Sequence, residues 1–291
     1  MNTLKSTLAR IGSLDTYLRD PRLKALVGRL GTLPSLPSLY VEVMKELAKE
    51  EPAVERISSI IARDPGMTAR ILQIVNSAVL GLPRKISSPF EAVQYLGFGT
   101  VRSLVLSAHI FSQFQQGGFK SFPIQQLWDH AMSTATVAGM IMRMEQAGLA
   151  EAEEAYVAGM LHDVGQLMLA NSLPEQFQQA VALAARQGIP LHEAELQIYG
   201  ATHAAAAAYL LGLWGLPATI VEAVAFHHTP LRSDVRLFSP LTAVHAANVL
   251  EHEFSTRLTF GRPSVFDTAY LESIGLQDRL AAWRDEVSRL R

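Results

Sequence analysis

Short helical segments, separated by prolines and glycines, run through almost the whole chain and limit its fold more than any other feature. In SLPSLYVEVMKELAKE the apolar residues of one helical stripe are Leu39, Val43, Met44 and Leu47. Asp64-Pro65 and Ser88-Pro89 each place a capping side chain before a proline that suits the first turn of a helix. Helices this short are not stable alone, so their apolar faces must pack together. Because strand-like alternation is scarce, the sequence predicts an all-α protein.

A break near residue 118 divides these segments into two groups. GGF at 117–119 and SFP at 121–123 mark it, and longer helices are predicted after it, at about 124–146, 151–171, 174–187, 191–213, 217–228 and 238–254. We therefore expect a two-lobed helical bundle, with an N-terminal lobe at 31–118 and a C-terminal lobe at 119–254. Residues 1–30 are expected to form a helical lead-in, either a linker or a helix packed on the first lobe. Residues 255–291 are expected to form a helical extension.

The composition excludes several classes of protein. The 291 residues include no cysteine, which excludes a disulfide framework and any thiolate metal site, so metal chemistry would depend on His, Asp and Glu. No apolar run reaches the ~18 residues of a membrane span, and the start MNTLKSTLARIGSL lacks the apolar core of a signal peptide. We expect a cytoplasmic protein with no membrane partner. The net charge of −2 weighs against a nucleic-acid partner.

The stretch GMLHDVGQLML, residues 159–169, places His162 and Asp163 side by side in an otherwise apolar run. On a helix, adjacent residues are about 100° apart, so both side chains can lean toward one cation beside the helix. An imidazole nitrogen and a carboxylate oxygen form a ligand mix suited to zinc, iron or manganese. The stretch therefore indicates a candidate metal site whose remaining ligands must come from other helices.

Four further histidines are candidate ligands. His130 lies in LWDHAMSTA, His203 lies in the alanine-rich YGATHAAAAAYLL, and His227-His228 end a helix just before Pro230. Each alone has a structural explanation, because a single helical histidine is more often a hydrogen-bonded core or surface residue. Histidines at a helix C-terminus also interact favourably with its dipole, and a neighbouring His and Asp can simply form a buried hydrogen-bonded pair. The combination in this order is more specific than any of its members.

The order His130, His162-Asp163, His203, His227-His228 resembles the HD superfamily of metal-dependent phosphohydrolases. The closer resemblance is to the HDOD family, the HD-related output domains of bacterial signalling proteins. It is carried by LPSLPSLYVEVMKEL, IIARDPGMTARILQIVNSAVLG and AYVAGMLHDVGQLML, and by LLGLWGLPATIVEAVAFHHTP followed by LTAVHAANVL, and it covers residues 30–252. It implies an HD-domain-like C-terminal lobe. It also implies a place in bacterial signal transduction of the two-component or response-regulator type.

Three departures from the catalytic HD pattern fall where hydrolysis needs charge. Asn248 stands where working hydrolases carry an aspartate ligand, and an amide oxygen lacks the charge of a carboxylate. Gln166 stands where related phosphodiesterases carry a lysine that can stabilise phosphate charge, and HHTPLRSD replaces an acidic residue and a GYP turn. We therefore expect a degenerate, vestigial metal site and assign no catalytic residue. Its expected ligands are His130, His162, Asp163, His203, His227, His228 and Asn248.

The resemblance and the departures together predict an output module that acts through protein or ligand binding rather than turnover. Its expected partners are signalling proteins, with an upstream receiver domain or kinase, and a nucleotide is a candidate ligand. The cofactor would be a divalent Fe, Mn or Zn ion, if any. The alternative is a metal-dependent phosphohydrolase similar to cyclic-nucleotide phosphodiesterases. DNA binding by DPGMTARILQIVNSA or GFGTVRSLVLSAH is a third reading, which their packing faces and the acidic balance oppose.

Overall fold

A computed structural model describes residues 10, 12–30, 38–76, 84–115, 122–255 and 260–289. Residues 34–116 form one compact unit, and the described residues on either side of them form the other. The described residues are helical, with no strand beyond an isolated bridge between Pro190 and Gly261, so the predicted all-α class is confirmed. No helix within the described ranges is both long and apolar enough to cross a bilayer.

The described part of the lead-in belongs to the second unit. Residues 12–18 are helical, and helix α1 follows at Pro21–Arg29. The Arg10 Nε donates a hydrogen bond to Glu222, and the ring of Tyr17 lies 4.8 Å from that of Phe226. Both contacts join the lead-in to residues in the C-terminal part of the same unit.

The first unit is built from four described helices: α2 (Ser38–Leu47), α3 (Val54–Ala62), α4 (Pro65–Val75) and α5 (Pro89–Gln115). Both predicted caps are confirmed, since Asp64 Oδ1 accepts from the Met67 amide at 2.9 Å and Ser88 Oγ accepts from the Glu91 amide at 3.2 Å. Gly97 interrupts α5 with a φ of 73°.

The second unit carries helices over each range predicted after the break, and two more beyond residue 254. In chain order they are α6 (Ile124–Met144), α7 (Leu149–Leu161), α8 (Val164–Ser172), α9 (Pro174–Gln187), α10 (Leu191–Tyr199), α11 (His203–Leu213), α12 (Ala218–Phe226), α13 (Pro240–Phe254), α14 (Thr268–Ser273) and α15 (Leu280–Arg289).

Two helices predicted as continuous are each broken. The segment predicted at 151–171 consists of two helices, α7 and α8. Asp163 lies between them with φ −105° and ψ 4°. The segment predicted at 191–213 divides into α10 and α11 at Gly200, which adopts the left-handed conformation. Thr202 then caps α11, because its hydroxyl accepts from the Ala205 amide at 3.1 Å. Both breaks fall beside candidate ligands and determine where those side chains lie.

Two glycines bring other helices close to the first of these breaks. A Cβ atom on Gly159 would lie 2.6 Å from Ala135 Cα on α6, and one on Gly165 would lie 2.0 Å from the His203 carbonyl oxygen on α11. Neither position has room for a side chain. The short stretch around His162 and Asp163 is therefore held against both α6 and α11.

Candidate metal centre

The structure brings the histidines and the aspartate of the sequence pattern together in the second unit. His130 comes from α6, His162 and Asp163 lie at the α7–α8 break, and His203 begins α11. His227 and His228 follow directly after α12. Five of these six side chains are buried, and His228 is partly exposed. Groups that lie far apart in sequence thus converge at one place.

Asp163 divides the cluster into two overlapping groups. Its Oδ2 lies 3.3 Å from His162 Nε2 and 3.7 Å from His130 Nε2, and those two nitrogens are 3.2 Å apart. Its Oδ1 lies 3.0 Å from His203 Nε2 and 3.7 Å from His227 Nε2. One carboxylate thus faces two sets of imidazole nitrogens.

His228 completes the second group. Its Nε2 lies 3.1 Å from His203 Nε2. The second group contains one potential ligand atom from each of Asp163, His203, His227 and His228. These four atoms all lie within 4.8 Å of one another, as do the three from His130, His162 and Asp163. These are distances at which one ion can be shared within each group.

Each ligand histidine is held from outside by its Nδ1 atom. His130 and His203 donate from Nδ1 to carboxylates, at 2.6 Å to Glu251 and 2.6 Å to Glu195. The other Nδ1 contacts are His162 to the Gly159 carbonyl at 2.7 Å, His227 to the Val224 carbonyl at 2.9 Å, and His228 to Ser264 Oγ at 3.0 Å.

For the four histidines bonded to carbonyl or carboxylate oxygens, these hydrogen bonds determine what each Nε2 presents to the site. A carbonyl or carboxylate oxygen only accepts, so the proton of the neutral imidazole stays on Nδ1 and the Nε2 lone pair faces inward. Lone pairs of His130 and His162 then face each other at 3.2 Å, which is unfavourable without a cation between them. Histidines held in this way by their other nitrogen are a general feature of metal sites. The donor set therefore fits a divalent ion.

The charges of the site also fit a divalent ion. Asp163, Glu195 and Glu251 are buried carboxylates, and the described ion pairs of Asp163 and Glu195 all involve histidines. Burial opposes ionisation of Asp163, but His162 and His203 hold the pKa of its carboxyl well below the usual value. Burial and the neighbouring imidazoles lower the pKa of His227 and of His228. The site thus combines the anionic carboxylate of Asp163 with neutral imidazoles at His227 and His228.

Asn248 and Gln166 line the same cavity as Asp163 and His203. Asn248 is 1% exposed, and its Oδ1 has no hydrogen-bond partner among the described residues. A buried amide oxygen without a partner costs free energy, so it is suited to coordinate an ion or a water molecule. The cavity is small, about 70 Å³.

Sequence reasoning missed the outer residues of the site. Glu195 and Glu251 hold ligand histidines, and two more histidines stack on ligands, with ring centroids 4.7 Å apart for His252 and His130 and 4.1 Å apart for His192 and His228. Burial lowers the pKa of His192 and of His252 to about 4. Glu251 could have been found from its place three residues after Asn248 on α13, which puts both on one helix face.

Comparisons with known proteins agree with this architecture. The HDOD domain model matches residues 33–230. An uncharacterized protein of Treponema pallidum is 25% identical over 206 residues, which are 70% of this chain and 39% of that protein. The chain therefore spans about two fifths of the length of that relative.

Two crystal structures share the fold. An HDOD domain protein of unknown function from Geobacter sulfurreducens superposes with a TM-score of 0.73 at 22% identity, covering 95% of this chain and 99% of that one. A protein from Shewanella amazonensis, whose name assigns it provisionally to the phosphohydrolases, superposes with a TM-score of 0.71 at 19% identity, covering 94% and 96%. At these identities the structures support the fold alone. Because the family model covers more than half of the sequence, this protein belongs to the HDOD domain family.

Proposed function

We propose that this protein is a signal-transduction output module that binds a divalent metal ion and acts through binding rather than turnover. The observation that carries the metal-binding part is the arrangement of the five ligand histidines. Each is held at Nδ1 from outside while its Nε2 lies within 3.7 Å of Asp163 or of another ligand nitrogen. The family membership supports the signalling part.

The chain's own residues would hold the ion. His130 and His162 would bind with Asp163 Oδ2, and His203, His227 and His228 would bind with Asp163 Oδ1. Nitrogen and oxygen donors without sulfur suit zinc, iron or manganese. When bound, such an ion supplies Lewis acidity and compensates the buried negative charge. The outer carboxylates Glu195 and Glu251 would keep the imidazoles oriented.

Two features of the cavity favour binding over hydrolysis. Its volume of about 70 Å³ is well below the roughly 300–1,000 Å³ of typical small-molecule sites, so it has room for ions and water but not for a nucleotide. Arg262 is the single lysine or arginine among the described lining residues, and it is exposed. Gln166 and Asn248 supply no charge to stabilise a phosphate in the transition state.

A metal-dependent phosphohydrolase is the second candidate, and one observation favours it. Asp163 presents one oxygen to each of two ligand groups, and carboxylates shared in this way occur in two-metal hydrolases of phosphate esters. A cyclic nucleotide would be the substrate class, as in the relatives that the sequence resembles.

Metal content and turnover can be measured on the same sample. The full chain would be purified anaerobically, analysed for metal, loaded with Mn²⁺ or Fe²⁺, and incubated with cyclic nucleotides. We expect stoichiometric metal and no product. Metal-dependent product release that disappears in Asp163→Asn would overturn the non-catalytic proposal, and absence of metal from the loaded wild type would overturn metal binding.

A further inference from the structure

Residues 260–267, the closing segment, lie at the mouth of the metal cavity. Phe260, Arg262, Pro263 and Ser264 line this cavity together with Asp163, His203 and His228. The segment follows α13 and lies beyond residue 230, where the family match ends. The small volume of the cavity is therefore set partly by a segment outside the matched region.

Backbone contacts attach the closing segment beside α10. The Arg262 amide donates to the Ile189 carbonyl at 3.1 Å, and Gly261 forms the isolated bridge with Pro190. Gly261 has a φ of 89°, and a Cβ atom there would lie 2.4 Å from the Ile189 oxygen and 2.8 Å from Ala184 Cβ. Only glycine fits this attachment.

An aromatic contact holds the start of the closing segment. The ring of Phe260 lies 5.7 Å from that of Phe122 and 5.8 Å from that of Phe177. Phe122 and Phe177 also contact each other, at 5.6 Å between centroids. Aromatic contacts of this kind are individually weak, so the segment is held by several small contributions.

Two polar contacts join the closing segment to the His227-His228 pair. Ser264 Oγ lies 3.0 Å from His228 Nδ1. The Asp267 amide donates to His245 Nε2 at 3.0 Å, and His245 in turn donates from Nδ1 to the His227 carbonyl at 2.7 Å. His245 therefore connects the segment to the ligand pair without being a ligand itself.

We propose that the closing segment is a cover over the metal centre and that Ser264 is the positioning residue of His228. This inference rests on the proposed metal binding. When the segment is attached, it closes the cavity mouth and orients His228 toward Asp163. When it detaches, the ion exchanges with solvent and His228 loses its outer hydrogen bond. Attachment of the closing segment is thus coupled to occupancy of the centre by the metal ion.

The first test detaches the cover and follows metal release. Full-length protein is loaded with Co²⁺, mixed with excess EDTA, and the loss of visible absorption is timed. Gly261→Val should release Co²⁺ about tenfold faster or more, because it breaks the contact with Ile189 and favours local opening. Gly275→Ala is the matched control, since Gly275 also has a positive φ of 72° but nothing within 4 Å of an added Cβ. Equal release from wild type and Gly261→Val would overturn the cover.

The second test isolates the hydroxyl of Ser264. Ser264→Ala should lower Co²⁺ affinity about tenfold, in the range typical of outer hydrogen-bond partners, and should shift the visible spectrum of the bound ion. Ser264→Thr keeps a hydroxyl and should restore both. Ser273→Ala removes a hydroxyl that, within the described ranges, donates to the Tyr270 carbonyl, and it should change neither. An unshifted spectrum and unchanged affinity in Ser264→Ala would overturn the positioning role.

The two proposals fail in different ways. Wild-type protein that takes up no Co²⁺ overturns metal binding and the cover with it. Wild-type protein that binds Co²⁺, with variants that behave identically, overturns the cover alone. If Gly261→Val does not fold, hydrogen exchange at the Arg262 amide tests the cover instead. If the closing segment and the metal centre are coupled, removing the metal should speed exchange at this amide. Equal exchange with and without metal would contradict the coupling.

Discussion

At the scale of single residues, the centre distinguishes two kinds of ligand histidine. His130 and His203 donate to buried carboxylates, whereas His162 and His227 donate to neutral carbonyl groups. A carboxylate behind an imidazole raises its basicity and so strengthens its bond to a metal ion. We therefore expect each ligand group to depend most on the histidine that has a glutamate behind it.

Replacing either outer glutamate by glutamine tests this dependence. Glutamine keeps the volume and an acceptor oxygen but removes the charge, so Glu195→Gln and Glu251→Gln should each lower metal affinity about 10- to 100-fold. Competition against a chromophoric chelator measures the affinity. Glu193→Gln is the control, because Glu193 lies on the same α10 helix but is exposed. Unchanged affinity in both glutamine variants would mean that the carboxylates have only a structural role.

The sequence predicts the inner residues of the site better than the outer ones. His162, Asp163 and Asn248 stand in motifs that can be read locally, whereas Glu195 lies eight residues before His203. In a continuous helix, eight residues would separate the two by about 12 Å. They are in contact because the chain turns at Gly200, which lets one Glu195 oxygen accept from both the amide and Nδ1 of His203.

At the scale of helices, the spacing around the His162–Asp163 break depends on glycine. Gly159 and Gly165 allow α6 and α11 to approach within distances that leave no room for a Cβ atom. The apolar pattern of GMLHDVGQLML continues through the break, so periodicity alone predicts one helix there. The proline-capped starts at Asp64 and Ser88 were predictable because capping is a local property. The break at Asp163 was not, because it depends on contacts with distant helices.

Replacing these glycines by alanine should show how much stability depends on the close approach of the helices. Gly159→Ala and Gly165→Ala should each lower the free energy of unfolding by about 1–3 kcal/mol, as expected for overpacking. Gly139→Ala is the matched control in α6, because its added Cβ would make only ordinary contacts of 3.6 Å and 3.8 Å, and it should be neutral or stabilising. Urea denaturation measures the free energy of unfolding of all three variants. A loss in Gly139→Ala as large as in the others would contradict the steric explanation.

At the scale of the whole molecule, the lead-in is fixed to the unit that holds the metal centre. Glu222 is fully buried, and its carboxylate accepts hydrogen bonds from Arg10 and from Ser233 Oγ at 2.7 Å. The ring of Tyr17 packs on Phe226, which directly precedes the ligand His227. A displacement of the lead-in would therefore act on the chain immediately before two ligands.

Removing Arg10 should destabilise this attachment strongly. Arg10→Met leaves a buried carboxylate without its cation, and we expect a loss of about 3–5 kcal/mol in the free energy of unfolding. The double change Arg10→Met with Glu222→Met should recover much of that loss, since no buried charge remains. Arg19→Ala is the control, because its ion pair with Asp15 is exposed and should contribute less than about 1 kcal/mol. Equal unfolding energies for the single and double variants would contradict the buried-charge argument.

Metal binding should also couple the stability of the whole molecule to pH. Burial alone would lower the pKa of His203, but Glu195 and Asp163 outweigh it and raise this pKa to about 10. In the metal-free protein the proton on His203 therefore contributes stability below its unfolded value, about 6.5, and this contribution is lost as the pH rises through about 10. A metal ion needs the Nε2 lone pair, so it must displace this proton, and metal affinity should rise with pH across the neutral range.

Calorimetric titration in two buffers with different ionisation enthalpies tests this exchange at pH 7.5. We expect the wild type to release about one proton for each ion bound at the His203 group. Thermal unfolding should agree, because the increase in Tm on metal loading should be larger at pH 8.5 than at pH 6.5. His203→Gln should bind metal weakly and release no such proton. Metal uptake with no proton release in the wild type would mean that His203 is neutral before the ion arrives, and that the carboxylate charge is compensated in another way.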